Sequence, residues 1–172
     1  TFKDAIQEAL AEEFAKDPLL QMIGEDIGFP KGGVFAVTKG LPEKFGKHRI
    51  FNSTLDEAVI GAFAVGVALA GGRVIAEYQF ANFFFAGPSP ILTLAATNAF
   101  MVRAATPIVL RAPTGYAPSS NHYHENWIES YMIKALGIKV VVPSTPEDAK
   151  GLLKSAIQDD DPVYIGEEMS FY

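Results

Sequence analysis

The sequence predicts an α/β fold of three layers, a doubly wound and mostly parallel sheet with helices on both faces. Three observations predict it. Short runs rich in Val, Ile and Phe alternate with helical patterns of about 12–15 residues, the signature of strand–helix–strand units. The run Pro107-Ile108-Val109-Leu110-Arg111 is apolar without alternation, as in a strand buried on both faces. Ser144-Thr145-Pro146-Glu147-Asp148 combines hydroxyl caps, a first-turn proline and then acids, which marks the start of a helix.

The elements follow in order. Phe2, Ile6, Ala9, Leu10 and Phe14 fall at helical spacing with Lys3, Glu8, Glu12 and Lys16 between them, and Asp17-Pro18 ends this amphipathic helix. Residues 19–23 read as a short buried strand closed by Gly24-Glu25-Asp26. A loop with Gly28, Pro30, Gly32 and Gly33 leads to a short helix over 41–45, and Arg49-Ile50-Phe51 is a second strand. Ser53 and Thr54 precede a helix over 56–70, which is apolar nearly all round and therefore central; Gly71-Gly72 ends it. Residues 74–80 form the next strand and 91–102 another apolar helix. After the 107–111 strand, a polar loop over 114–123 leads into a helix over 125–136. Residues 139–142 are a buried strand, the helix begun at Ser144 runs to Gln158, and 162–166 form the last strand. Ligands of such sheets bind beyond the carboxyl ends of the strands. The loops after Ile23, Phe51, Phe80, Arg111 and Val142 are therefore the places to search.

Length and composition set the class. The 172 residues fit one domain over 1–172, and 49% hydrophobic residues suffice for a packed core. A net charge of −6 lacks the basic footprint of a nucleic-acid binder, and no arginine-rich run addresses an acidic membrane surface. The absence of cysteine excludes disulfides, thiolate metal sites and cysteine nucleophiles, and it favours a reducing compartment. Residues 58–72 are too short to span a bilayer, and 78–102 are interrupted by Gly87-Pro88-Ser89-Pro90, so the chain reads as soluble. No basic-then-apolar leader opens it.

The chemistry-bearing residues each have a plain structural alternative. There is no Gly-x-Gly-x-x-Gly and no Walker lysine motif, so classical nucleotide binding is unsupported. In Ser53-Thr54-Leu55-Asp56-Glu57, both Ser53 with Asp56 and Thr54 with Glu57 fit a capping box. The functional reading of Glu57 is a carboxylate at a strand's carboxyl end, among Ala58, Val59, Ile60 and Phe63. His122 and His124 lack the further ligands of a metal site; a loop histidine suits proton transfer or hydrogen bonding, or is simply solvated. Phe80, Phe83, Phe84 and Phe85 are either core or a ring wall for a planar heterocycle. Asp159-Asp160-Asp161 is a solvated turn or a site for a nearby cation.

Certain runs are more specific. Gly24-Glu25-Asp26, Gly32-Gly33-Val34-Phe35, Val37-Thr38-Lys39-Gly40-Leu41 and Lys44-Phe45-Gly46 come first, then Glu57-Ala58 and Glu77-Tyr78-Gln79-Phe80. Pro107 through Pro113, Tyr123-His124, Lys139 through Pro146, Asp148 through Leu153 and Asp159-Asp160-Asp161-Pro162-Val163 complete the series. In this order the runs resemble the beta subunit of 2-oxo acid dehydrogenases, in its transketolase-like pyrimidine-binding domain. The resemblance spans nearly the whole chain.

It implies a thiamine-diphosphate-binding fold in which this chain takes the aminopyrimidine half of the cofactor. By resemblance Glu57 is the glutamate that hydrogen-bonds the aminopyrimidine ring nitrogen, and Glu25 is a carboxylate near the site. Phe80 and Phe83 are the aromatic wall, and His124 assists proton or acyl transfer. Ala156, through its carbonyl, with Asp159 and Asp161 matches a potassium loop of some members. The diphosphate- and magnesium-binding Gly-Asp-Gly…Asn-Asn motif does not occur here and is carried in the family by an alpha subunit. The implied assembly is a heterotetramer serving a lipoyl acyltransferase core, in bacterial cytoplasm or mitochondrial matrix. Asn82 stands where Asp is common and Glu125-Asn126 where Ser-Gln is common, and the family's further C-terminal domain is not seen here.

The expected function is thus a half-site for decarboxylation of pyruvate or a branched-chain 2-oxo acid with acyl transfer to lipoyl, inactive alone. Two alternatives stand beside it. One is a non-catalytic isolated or engineered scaffold of the same fold, and the other a transketolase-type or deoxyxylulose-phosphate-synthase-type domain.

Overall fold

Residues 1–117, 121–135 and 137–172 are described by a computed structural model; residues 118–120 of the expected loop and 136 of the expected helix lie outside them. The chain begins with α1 (Phe2–Lys16), whose N-terminus is closed by a capping box in which Thr1 Oγ1 accepts from the Asp4 amide at 3.2 Å. Then come β1 (Gln21–Gly24), α2 (Leu41–Phe45), β2 (Ile50–Asn52), α3 (Glu57–Leu69) and β3 (Val74–Glu77). A 3₁₀ segment (Ala81–Ala86) and a π-helical turn (Pro90–Ala95) precede α4 (Ala96–Val102). The chain closes with β4 (Ile108–Thr114), α5 (Glu129–Met132), β5 (Lys139–Val141), α6 (Pro146–Gln158), β6 (Val163–Glu168) and a 3₁₀ turn (Met169–Phe171).

The six strands form one sheet in the order β2-β1-β3-β4-β6-β5, and every neighbouring pair is parallel. Alternation along the strands divides the core into two. Met22, Ile75, Val109, Val163 and Ile165 point to the layer of α1 and α6, against Ile6, Leu10, Phe14, Leu153 and Ile157. Ile23, Val74, Ala76, Ile108, Leu110 and Tyr164 point to the other layer, against Ile60, Ala64 and Ala68 of α3 and Ile91 and Ala95 of the π turn. Burial on both faces is what a near-continuous apolar strand requires. The expected three-layer doubly wound α/β fold is the one observed.

Four expected elements differ. The strand over 74–80 ends at Glu77, where the chain turns toward the 3₁₀ segment, and the buried strand over 139–142 is the exposed to half-buried β5, because it lies at the edge of the sheet. The helix over 125–136 shortens to α5, because Asn126 is held elsewhere: its carbonyl accepts from the Gly115 amide at 3.0 Å and Thr114 Oγ1 at 2.8 Å. The helix over 91–102 opens as a π turn. There Thr93 Oγ1 donates to the Ser89 carbonyl at 2.6 Å, and such back-bonding by hydroxyls distorts helices.

The connection from β1 runs outward to β2, and the chain then returns to place β3 on the other side of β1. The switch of direction therefore falls between β1 and β3, where Gly24 stands opposite Glu77. Gly24 is required there, since a Cβ would lie 2.8 Å from the Glu77 carbonyl oxygen.

Candidate functional site

Glu25 follows directly on β1 at this switch point. It is 4% exposed, and neither carboxylate oxygen has a hydrogen-bond partner. Burial, and then the negative charge of Glu57, push the Glu25 carboxyl up to about 7. The Asp56 amide opposes the shift weakly, its own hydrogen bond going to the Thr54 carbonyl at 2.8 Å.

Glu57 opens α3 but does not cap it. The N-cap is Asp56, whose Oδ1 accepts from the Ala58 amide at 3.0 Å, and Ser53 Oγ donates to the Thr54 carbonyl at 2.7 Å. Neither expected capping box forms, because Asp56 already occupies the cap and Ser53 is turned to its neighbour. Glu57 is left half-buried in the first turn, where the positive end of the helix dipole favours a carboxylate.

Tyr78, just past β3, reaches the same region. Its hydroxyl is buried without a partner, and burial followed by the Glu57 charge raises its pKa. Gly61 of α3 makes room, since a Cβ there would sit 3.0 Å from that hydroxyl. Sequence reasoning did not single out Tyr78 as a polar group here, because it placed Tyr78 inside the strand expected over 74–80.

Phe80, Phe83 and His124 form a second cluster. The His124 ring lies 4.3 Å from Phe80 and 5.6 Å from Phe83 between centroids, and the two phenyl rings are 5.6 Å apart, edge to face. His124 is oriented by Asn121, with Nδ1 3.0 Å from Oδ1. Val34, Phe35, Phe80, Asn121, His124 and Met169 line a cleft of about 270 Å³. The 3₁₀ segment carrying Phe83 returns at Gly87 so tightly against Ala58 that any side chain at 87 would overlap the backbone of α3. The aromatic cluster is thereby fixed to the same helix start as Glu57.

The third expected set lies apart. Asp159 and Asp161 precede β6, at the amino edge of the sheet. Lys139 Nζ meets the Asp159 carboxylate at 2.7 and 2.8 Å and Asp161 at 3.2 Å, while the Ala156 carbonyl accepts from the Asp159 amide at 3.2 Å. Arg73 adds bonds to the Ile157 carbonyl and Asp160 Oδ1, both at 2.8 Å. The positive charge at this loop comes from the side chains of Lys139 and Arg73. Among the described residues no group of three or more His, Asp or Glu side chains is arranged to hold a metal.

The model of the family "Transketolase, pyrimidine binding domain" matches residues 1–170. The chain belongs to this family. Among curated relatives, the domain is 41% identical to the 2-oxoisovalerate dehydrogenase subunit beta of Bacillus subtilis (strain 168), over 100% of this chain and 53% of that protein. It is 42% identical to the mitochondrial 2-oxoisovalerate dehydrogenase subunit beta 2 of Arabidopsis thaliana, over 98% of this chain and 47% of that one. The pyruvate dehydrogenase E1 component subunit beta of Acholeplasma laidlawii is 41% identical, with 100% and 53% covered. The domain thus spans about half the length of the curated relatives it matches. Among solved structures, "Split gene transketolase, inactive beta4 tetramer" superposes with a TM-score of 0.74 at 21% identity, over 98% of this chain and 51% of that one. That likeness concerns the fold. No helix among the described residues is long and apolar enough to cross a membrane.

Proposed function

We propose that this domain is the aminopyrimidine half-site of a thiamine-diphosphate-dependent 2-oxo acid dehydrogenase and is inactive alone. One observation carries the proposal: a buried, unpartnered carboxylate, Glu25, stands within the field of Glu57 at the switch point of a parallel sheet. Buried polar groups without partners are rare in a finished fold, and these face the place where open α/β sheets take ligands. The group fits a polar, planar ring: the carboxylates answer its ring N–H and amino donors, and Phe80 and Phe83 offer apolar faces. When bound, thiamine diphosphate supplies the electron sink for loss of carbon dioxide from a 2-oxo acid.

The domain's own residues hold and orient. Glu57, free of the cap, accepts a hydrogen bond from the ring nitrogen and holds a proton there. Glu25, raised to about 7, keeps a proton over part of the population at neutral pH and limits the repulsion between the two carboxylates. His124, held by Asn121, places an imidazole in the cleft for proton transfer during acyl transfer. The diphosphate and magnesium are assigned to an alpha subunit, completing a heterotetramer that serves a lipoyl acyltransferase core. The substrate is pyruvate or a branched-chain 2-oxo acid, and the setting bacterial cytoplasm or mitochondrial matrix.

Calorimetric titration with thiamine diphosphate and magnesium, with and without a candidate alpha subunit, tests the proposal. Saturable binding only with the partner is expected. No binding in either arm, with the fold intact, would refute it.

A further inference from the structure

Resting on the reading of His124 as a group of the cofactor site, we infer that Glu168 is its positioning residue. His124 sits on the segment between β4 and α5, which leaves the sheet and must return to it. The stems of this segment are closed once at the Asn126 carbonyl, which accepts from the Gly115 amide and the Thr114 hydroxyl. Glu168, the last residue of β6, closes them again from the neighbouring strand, where it pairs with Thr114. Its Oε1 accepts from the Tyr116 amide at 3.3 Å and its Oε2 from Trp127 Nε1 at 3.1 Å, so one carboxylate bridges both stems. Gly115, at φ +81°, leaves the space this needs; a Cβ there would overlap the carboxylate.

The stapled segment presents Asn121 and His124 to the cleft, and Met169, next to Glu168 in sequence, lines the same cleft. The position of the imidazole over Phe80 is therefore set from β6, two strands away from β3, beyond whose end Phe80 lies. Glu168 touches neither the cleft nor a reacting group; it acts through the segment it ties. Small displacements of a catalytic group cost up to about 100-fold in rate, which gives such a tie functional weight.

Nuclear magnetic resonance of this chain tests the inference directly. Trp127 is the only tryptophan and so gives a single indole N–H signal. In Glu168→Ala that signal should shift, and the His124 ring protons should lose the ring-current shift from Phe80, while His48 stays unchanged. Trp127→Phe, which removes one arm of the tie and keeps an aromatic ring, should move His124 in the same direction by less; it carries the test if Glu168→Ala does not fold. In enzyme reconstituted with an alpha subunit, Glu168→Ala should lower kcat about 10-fold or more with KM for the 2-oxo acid little changed. Glu168→Gln, which keeps one acceptor oxygen and sets an amide N–H2 against the other donor, should restore only part of it. Unchanged His124 signals in a folded Glu168→Ala overturn the inference. An inactive wild-type reconstitution instead overturns the cofactor reading, and the His124 signals still decide the role of Glu168.

Discussion

Glu25 binds its proton more tightly in the folded chain than in the unfolded one, with a pKa raised from 4.5 to about 7. Its contribution to stability is therefore full below about 4.5 and is lost as pH rises through 7, because the unfolded chain releases the proton first. Glu77, pushed up to about 7 by burial, acts in the same direction. Glu25→Gln should flatten the fall in unfolding free energy between about pH 4.5 and 7, leaving the part due to Glu77. Urea melts at several pH values would measure it, and an unchanged slope in the variant would count against the buried proton. Glu57→Gln makes a different prediction, since this side chain does not cap α3: stability should hold while cofactor C2 proton exchange in the reconstituted enzyme disappears. Retained exchange in that variant excludes the role given to Glu57. At this scale what was legible is proximity: the fold brings Glu25 to Glu57, and Phe80 and Phe83 to His124. Asn121 and Glu168 were not legible, because what they do depends on a neighbouring turn or strand that no spacing along the chain reveals.

The helices separate capping from chemistry. Asp56→Ala should cost about 0.5–2 kcal/mol by loss of the α3 cap, measured by denaturation, with Glu57 still in place. Gly87→Ala should be more harmful to the site than to α3 itself, because the 3₁₀ segment must move off Ala58. Its signature would be a changed Phe83 environment with helix content retained by circular dichroism. Element existence was well marked in the sequence by apolar periodicity and caps, as α1 and α6 illustrate. What failed was the segment 125–136, where Asn126 gives its carbonyl to β4 and tertiary bonding overrides a helical pattern. The π turn failed for a local reason, hydroxyls at Thr93 and Thr97 bonding back to the Ser89 and Thr93 carbonyls.

Across the whole molecule, the sheet is locked near its carboxyl edge by Arg111. This guanidinium, 1% exposed, bridges Glu77 of β3 and Glu167 of β6, with the Tyr172 hydroxyl donating to Glu167. Arg111→Met would strand two buried carboxylates, and a loss of about 3–5 kcal/mol is expected in equilibrium unfolding. At the opposite edge, Lys139 and Arg73 supply the charge for the 159–161 loop. The melting temperature should accordingly be the same in potassium and sodium chloride at equal ionic strength; a rise specific to potassium would contradict the ion pairing described. The parallel order of the strands followed from the alternation of strands and helices. The three-residue lengths of the two outermost strands, β2 and β5, did not. Those lengths bear on handling. Sheet-to-sheet growth between copies needs a long flat edge of free amides and carbonyls, and each border here offers only one short stretch. Concentrated preparations have little purchase for fibrous aggregation from the native fold.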